Sequence, residues 1–165
     1  MAGGYMKGIE PSLLDKLFDD DPRDPHGGVF KRFSTEQYKD SVARDVESLL
    51  NNRFVMDEAG LKHYPQCQRS LMTYGIHDFS GRSLASSYDR AFICHSLELA
   101  ISRHEGRLSN VQVVLREDER STGALRFSIN ALLVIHPSRE PVSFDALLQP
   151  ATLQYSVHRN RRAAA

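Results

Sequence analysis

Apolar residues recur at the spacing of an α-helix in two long parts of the chain. The first pattern starts after Ser34, which with Gln37 has the spacing of a capping box, and it stops near residues 51–52. The second starts at Ser86 or Ser87, since either residue is a suitable N-cap. The sequence therefore predicts two main helices, with core-facing positions Tyr38, Val42, Val46, Leu49 and Leu50 in the first and Tyr88, Phe92, Ile93, Leu97, Ala100 and Ile101 in the second.

A shorter helix is predicted close to the N-terminus, where Ser12 and Asp15 have the spacing of another capping box. We expect its apolar face to anchor the helix on the rest of the protein. The run Asp19-Asp20-Asp21 that follows is interpreted as a solvated loop, because it lacks the alternating ligand spacing of a calcium loop. The apolar face consists of Leu13, Leu14, Leu17 and Phe18.

From residue 108 onward the apolar period changes to strict alternation, which is typical of strands with one buried face. Four such segments are separated by Gly123, by the turn from Pro137 to Pro141, and by Pro150. Because these connections are short, we predict an antiparallel meander. The fold class is α+β: two main helices and a short N-terminal helix packed on an antiparallel sheet of about four strands. The alternating positions are Val111, Val113 and Leu115, then Leu125, Phe127, Ile129, Ala131, Leu133 and Ile135, then Val142, Phe144, Ala146 and Leu148, and last Leu153, Tyr155 and Val157.

Two segments between the helices leave their structure open. Residues 54–69 show no clear period, and Ser70–Ile76 fits either a short strand or a helical turn ended by Gly75. For the domain organisation we expect an N-terminal anchoring helix and acidic loop over residues 1–33. A single α+β domain over residues 34–158 and a flexible basic tail over residues 159–165 complete it.

The charge distribution favours a polar docking surface over a nucleic-acid surface. The 21 basic and 21 acidic residues balance, but residues 1–60 carry 12 acidic and 8 basic side chains whereas residues 61–165 carry 9 and 13. The arginines are scattered among acids and form no basic stripe. Arginine is suited to bidentate pairing with carboxylates at protein interfaces. We therefore expect no nucleic-acid partner.

The two cysteines and the absence of targeting segments predict a cytosolic protein. Cys67 and Cys94 lie outside any C-x-x-C spacing, so we expect two buried thiols in a reducing compartment. The chain has no secretory signal pattern, and no apolar run approaches the roughly 18 residues that span a bilayer. Direct membrane insertion is not expected.

The sequence does not favour an enzyme, a metal site or a cofactor site. The G-x-S-x-G, H-E-x-x-H, P-loop and dinucleotide-binding motifs are missing. Glu98 and Glu105 would lie about 10.5 Å apart along a continued helix, farther than the roughly 5 to 9.5 Å between the carboxylates of glycosidases. We therefore expect no catalytic residue, although the fold could still bring some histidines together. Six of the seven histidines lie on separate elements and show no ligand spacing: His63, His77, His95, His104, His136 and His158.

The junction of the second main helix with the first strand carries two charges around one glycine, in Glu105-Gly106-Arg107. One interpretation is a helix C-cap with Gly106 in the left-handed conformation and two solvated charges. The other is a loop whose charged side chains point away from the helix and bind a partner. On both interpretations Glu105 and Arg107 are exposed, and we predict that alanine substitutions there change the stability of the chain by less than about 1 kcal/mol.

Several segments together resemble TssE, the baseplate wedge subunit of bacterial type VI secretion systems, which is related to a wedge protein of contractile phage baseplates. The resemblance covers the chain from about Pro11 to Val157. The family usually has Glu-Pro-Arg at the turn, so Gly106 departs from it and lacks the fixed φ of proline. The segments are Leu13-Leu14-Asp15-Lys16-Leu17, Ser41 to Arg53, Ser70 to Ile76, and Glu105-x-Arg107-Leu108, of which Asp45 to Arg53 and the turn are the most specific.

The resemblance implies a structural subunit without enzymatic activity in the bacterial cytoplasm, within a baseplate docked at the inner face of the cytoplasmic membrane. The implied partners are the wedge core of TssF and TssG, TssK, and the sheath subunits TssB and TssC. Glu105, Gly106 and Arg107 would contact the wedge core, and the sheet would receive a strand from the first sheath ring. The alternative is a lysozyme-like glycoside hydrolase acting on peptidoglycan, after a label that some members of the family carry.

The last strand is the candidate for the sheath contact. Its alternation gives one apolar and one polar face, and as the final strand it can lie at a sheet edge, with Gln154, Tyr155 and Ser156 as partner-binding residues. The other interpretation is a closing core strand. Proline in place of Gln154 or Ser156 is expected to remove a backbone donor from the free edge while sparing the apolar face.

Overall fold

The computed structural model describes residues 8–17, 32–56, 58–79, 81–83, 86–116, 125–149 and 151–160. The chain divides into two compact units, residues 1–42 and residues 43–165. The domain limits expected from the sequence stay a prediction. Phe18, the acidic run, Gly123, Pro150 and the tail from residue 161 lie outside the described residues.

In the first unit, both predicted capping boxes form. The Asp15 N–H donates to Ser12 Oγ at 3.1 Å and the Ser12 N–H to Asp15 Oδ2 at 3.0 Å, at the start of helix α1, Leu13–Leu17. The same reciprocal pair between Ser34 and Gln37 precedes helix α2, Thr35–Asn51, which continues into the second unit. These bonds satisfy N–H groups that the first turn of a helix leaves free.

The expectation that the leucines of α1 anchor it is wrong for the described residues. Leu13 and Leu17 are 72% and 70% exposed, and α1 buries no residue. A polar contact holds the helix instead, because Ser41 Oγ of α2 donates to the Asp15 carboxylate at 2.8 and 3.0 Å. Asp15 thus serves both as a cap and as a tether.

The second unit begins with the C-terminal part of α2 and continues through short turns. Helix α3 spans Glu58–Leu61, and two 3₁₀ turns span Cys67–Arg69 and Leu71–Thr73. The segment Ser70–Ile76, for which the sequence allowed a strand or a helical turn, therefore contains a helical turn. A single parallel bridge to Arg53 follows at Ile76. Gly75 is required between them, because its φ is +127° and an added Cβ would lie 2.6 Å from the Asn52 carbonyl oxygen.

Helix α4, Ser87–His104, precedes the sheet and is capped by the Ser86 hydroxyl, which accepts from the Asp89 N–H. The four strands are β1, Leu108–Arg116; β2, Leu125–Ile135; β3, Ser138–Gln149; and β4, Gln154–Arg159. Their spatial order is β1-β2-β3-β4, and each neighbouring pair is antiparallel. The predicted meander and the α+β fold class are confirmed.

The core of the second unit follows the predicted alternation on the sheet and most of the predicted apolar positions of the helices. Tyr88 of α4 and Leu153, just before β4, are 73% and 47% exposed, so the prediction is wrong for these two residues. Phe127, Ile129 and Leu133 on β2 are at most 1% exposed, and Phe144 on β3 is fully buried. Burial of this apolar surface supplies the main favourable term for folding. The helix residues buried with them include Val46, Leu49, Leu50, Leu97 and Ile101.

Candidate partner-binding site

The turn between α4 and β1 is built by backbone bonds at Glu105. Its N–H donates to the Ile101 carbonyl at 2.8 Å and ends the helix, and its carbonyl accepts from the Leu108 N–H at 3.1 Å. Gly106 is exposed and does not have a positive φ, so the predicted left-handed glycine cap is wrong. The non-helical conformation of Glu105, with φ −108° and ψ 85°, ends the helix instead.

The charged side chains of this turn point inward, and the prediction that they are exposed is wrong. Arg107 Nε and Nη2 donate to the two Glu105 carboxylate oxygens at 2.8 and 2.5 Å. Arg107 Nη2 also reaches Asp45 Oδ2 of α2 at 2.5 Å. The side chains of Glu105, Arg107 and Asp45 are only 8%, 18% and 19% exposed. We call these three residues the turn cluster.

The turn cluster perturbs the ionisable groups around it. Burial alone would lower the pKa of Arg107, but the hydrogen bonds and charges of Glu105 and Asp45 raise it above its ordinary value. Burial raises the pKa of Tyr74, and the charges of Asp45 and Glu105 add to this. Two carboxylates around one guanidinium leave one net negative charge, next to Arg44 Nε, which lies 3.7 Å from Asp45 Oδ1.

His104 lies beside the turn and is held by neighbours from the 3₁₀ turns. Its Nε2 is 3.3 Å from Thr73 Oγ1, and its ring meets Tyr74 edge-on at 5.5 Å between centroids. Burial lowers the pKa of His104. A hydrogen bond with Thr73 raises this pKa, and the nearby charge of Arg103 lowers it further. The imidazole is therefore held toward its neutral form.

Strand β4 is an edge strand, but helix α2 already occupies its outer backbone groups. The Asn51 side chain makes two bonds to Tyr155, accepting from its N–H at 2.8 Å and donating to its carbonyl at 2.9 Å. Glu47 Oε2 accepts from the Val157 N–H at 2.7 Å, and Arg53 Nη2 donates to the Leu153 carbonyl at 3.0 Å. We call Glu47, Asn51 and Arg53 the edge clamp.

These bonds also show which backbone groups of β4 face inward. The backbone N–H groups of Tyr155 and Val157 point toward α2. Because backbone groups alternate in direction along a strand, those of Gln154 and Ser156 point toward β3, where their register partners are Gln149 and Leu147. Proline at Gln154 or Ser156 would therefore break the β3–β4 ladder, and the prediction that it removes a donor from the free edge is wrong. Of the three predicted contact residues, Gln154 is exposed, Ser156 is half-buried and Tyr155 is buried.

The opposite sheet edge is closed in a similar way by α4. Glu98 Oε1 accepts from the Val113 N–H of β1 at 2.8 Å. Burial raises the pKa of the Cys94 thiol, and a backbone hydrogen bond from Leu115 opposes this rise. Cys67 and Cys94 are free and half-buried, so the expectation of two buried thiols is wrong. Side chains of both long helices thus satisfy backbone groups at both edges.

Helix α2 connects the two sequence-predicted contact regions. Asp45 binds the turn, whereas Glu47 and Asn51, one helical turn apart on the same face, bind β4. Asp45 and Glu47 are therefore not free surface charges, since each carboxylate has a partner from a distant part of the chain. The sequence feature that pointed to these residues was the resemblance, because its most specific segment runs from Asp45 to Arg53.

The described residues offer little to other kinds of site. Within them, no group of three or more histidine, cysteine, aspartate or glutamate side chains is arranged to hold a metal ion. In the same part of the chain, none of the helices is both long and apolar enough to cross a membrane. The carboxylates of the proposed hydrolase are both engaged, Glu98 by the Val113 N–H and Glu105 by Arg107.

A family model described as "Baseplate wedge protein gp25" matches residues 36–138, which is more than half of the chain. No curated protein matches the chain. The chain belongs to the family of baseplate wedge protein gp25, and since TssE belongs to the same family, the resemblance found in the sequence is confirmed. A structural role in a baseplate, in assembly with other baseplate proteins, follows from this membership.

Proposed function

We propose that this baseplate wedge protein works in a type VI secretion system, where it joins the wedge core of TssF and TssG to the first sheath ring and helps to start sheath assembly. The observation that carries the proposal is that the family match coincides with a continuous set of bonds from α2 to the turn and to β4. The protein acts in the bacterial cytoplasm, in a baseplate docked at the inner face of the cytoplasmic membrane, with TssK and the sheath proteins TssB and TssC as further partners.

The contact with the wedge core is assigned to the turn. The internal bonds of the turn cluster hold Glu105 and Arg107 in one geometry, so the surface offered to a partner consists of the exposed Gly106 and the partly exposed rims of Asp45 and Arg44. Arg44 offsets the net negative charge of the cluster, so the turn offers a partner one carboxylate and one guanidinium side by side. Such charge complementarity fixes orientation and partner choice more than raw affinity.

The contact with the sheath is assigned to the edge of β4. A sheath strand that pairs with Tyr155 and Val157 takes the place of Asn51 and Glu47 as their hydrogen-bond partners. Exchange of one set of bonds for another keeps the buried backbone groups satisfied in both states. The edge clamp then also protects β4 from unwanted strand pairing before assembly.

The test is co-purification with TssF and TssG after co-expression, with a large side chain placed on the turn. Gly106→Leu is suitable because no atom lies within 4 Å of an added Cβ, so the fold has room for it. Gly60→Leu on α3 is the matched control, since its Cβ also meets nothing within 4 Å. We expect Gly106→Leu to keep its melting temperature and lose the wedge core, and Gly60→Leu to keep both. Normal co-purification of Gly106→Leu would exclude the turn as the contact.

The alternative function, a lysozyme-like hydrolase, has less support. The two candidate carboxylates are both occupied by internal partners, Glu105 by Arg107 and Glu98 by the Val113 N–H, so neither is free to act on a substrate. We expect purified protein to release no muropeptides from peptidoglycan above background. Release that disappears in Glu98→Gln or Glu105→Gln would instead establish the enzyme.

A further inference from the structure

A cavity of about 170 Å³ lies in the second unit, at the end of the sheet opposite the β2–β3 turn. Its apolar lining includes Ile93 of α4, Leu125 and Phe127 of β2, and Leu148 of β3. A cavity lined by such side chains and of about 150 Å³ can hold a benzene molecule. The size and lining therefore suit one aromatic side chain.

Tyr155 also lines this cavity and supplies a polar group without a partner. The residue is 3% exposed, and burial raises its pKa to about 12. No described residue forms a hydrogen bond with its hydroxyl, although both of its backbone groups are bound by Asn51. The hydroxyl oxygen itself is not fully buried, so it keeps some contact with solvent. The Tyr155 hydroxyl is thus an unused donor at the cavity.

Three charged residues line the cavity, namely Arg53, Arg82 and Asp78. Arg82 is paired with Asp89 at 3.0 Å and stacks on the Phe92 ring at 4.0 Å. Arg53 differs, because within the described residues its guanidinium donates only to the backbone carbonyls of Leu50, Asn52 and Leu153. Its charge is therefore not neutralised by a carboxylate there.

We propose that this cavity is a binding site for an extended acidic segment of a partner protein, with one phenylalanine side chain inserted. The ring fills the apolar space, a flanking carboxylate pairs with Arg53, and a polar oxygen of the segment accepts a hydrogen bond from the Tyr155 hydroxyl. The guanidinium of Arg53, which no carboxylate of the described residues neutralises, selects against a basic segment. Because the cavity adjoins Leu153 and Tyr155, the segment reaches the start of β4, beside the edge clamp.

The proposal does not depend on the assembly role, and its test uses the purified full chain alone. The probe is a fluorescein-labelled peptide, Gly-Ser-Glu-Phe-Glu-Ser-Gly, titrated by fluorescence anisotropy. Two matched peptides replace the phenylalanine by alanine or both glutamates by glutamine. We expect saturable binding of the first peptide and at least about tenfold weaker binding of each control, as for the loss of a buried ring or of a charged hydrogen bond.

Three variants locate the peptide on the protein. Leu148→Phe is expected to fill the cavity and weaken binding at least about tenfold. Tyr155→Phe removes only the unpartnered hydroxyl, so it is expected to keep the melting temperature and weaken binding about threefold to tenfold. Arg139→Gln, an exposed arginine at the β2–β3 turn and away from the cavity, controls for the loss of one positive charge and is expected to bind normally.

Several results would overturn the proposal. No saturable binding up to about 1 mM peptide would mean that the cavity has no useful affinity for this chemistry. If Tyr155→Phe and Leu148→Phe both bound the peptide as tightly as wild type, the peptide would bind elsewhere. Tyr155→Phe remains informative if Leu148→Phe fails to fold. A wild-type chain that dimerises in sedimentation, with Leu148→Phe monomeric, would assign the cavity to a second copy of this chain.

Discussion

The turn at residues 105–107 and the edge strand β4 are both fastened to helix α2, but by different chemistry. At the turn, an arginine is shared between two carboxylates that have largely lost contact with water. At β4, side chains of α2 replace a missing neighbouring strand and bind neutral backbone groups. One helix thus uses charge to hold a loop and hydrogen bonds to close an edge.

Because of this difference, substitutions in the two regions should lower stability by different amounts. Removal of one member of a buried ion cluster leaves another charge unpaired, which costs several kcal/mol. Removal of an edge clamp exposes backbone groups that water can reach and bind, which costs less. The turn is therefore the more fragile of the two regions, and β4 is the one whose bonds can be exchanged.

The largest expected effect comes from Arg107→Ala. The substitution leaves Glu105 and Asp45 close together without their shared cation, and we expect the free energy of unfolding to fall by about 3 kcal/mol. Chemical denaturation of wild type and variant measures this change. Arg139→Ala removes an exposed arginine from β3 and should change stability by less than about 0.5 kcal/mol. A loss below about 1 kcal/mol for Arg107→Ala would restore the original expectation that the turn is not structural.

A smaller effect is expected from Asn51→Ala at the edge of β4. The variant loses both bonds to Tyr155, and we expect a loss of about 1 to 2 kcal/mol in the free energy of unfolding. Amide hydrogen exchange should speed up at Tyr155 in particular. The neighbouring Asn52→Ala is the control, because the Asn52 side chain donates only within α2, to the Ser48 carbonyl. Equal losses for the two variants would show that bonds at the end of α2, and not the contact with β4, are responsible.

Gly106→Ala should change stability very little and in the favourable direction. Its φ is not positive and its Cβ would meet no atom within 4 Å, so alanine reduces the entropy of the unfolded chain without strain. We expect a gain of about 0.4 to 1 kcal/mol in chemical denaturation. Gly75→Ala should destabilise the protein in the same experiment, because the backbone at this position has a φ of +127°. A loss of stability in Gly106→Ala would mean that the turn needs glycine after all.

The smallest expected effect is on the pH dependence of stability, and it concerns only the turn, because His104 lies beside it. Because the pKa of His104 is lowered in the folded protein, the unfolded chain binds this proton more readily, and stability falls as pH drops below about 6.5. Between pH 7.5 and 5.5 we expect His104→Gln to lose less melting temperature than wild type, by on the order of 1 °C. Identical pH dependence of the two proteins would remove His104 as a titrating neighbour of the turn.

Much of the fold was predictable because it depends on short-range patterns. Helical and alternating apolar periods identify α2, α4 and the four strands, and capping boxes at Ser12 and Ser34 mark helix starts through contacts only three residues apart. The segment from residue 54 to residue 76 was not predictable, because short turns have no period and its position depends on one bridge to Arg53.

The sequence by itself determined the fold class, the order of the strands and the family, because periodicity, short connections and a specific set of residues are properties of the chain. Only the tertiary structure decided the surroundings of the charged residues. Arg107 meets Asp45 across 62 positions of sequence, and Val157 meets Glu47 across 110. A charge beside a glycine suggests exposure when only its neighbours in sequence are known, but its burial depends on partners that the folded chain brings from far away.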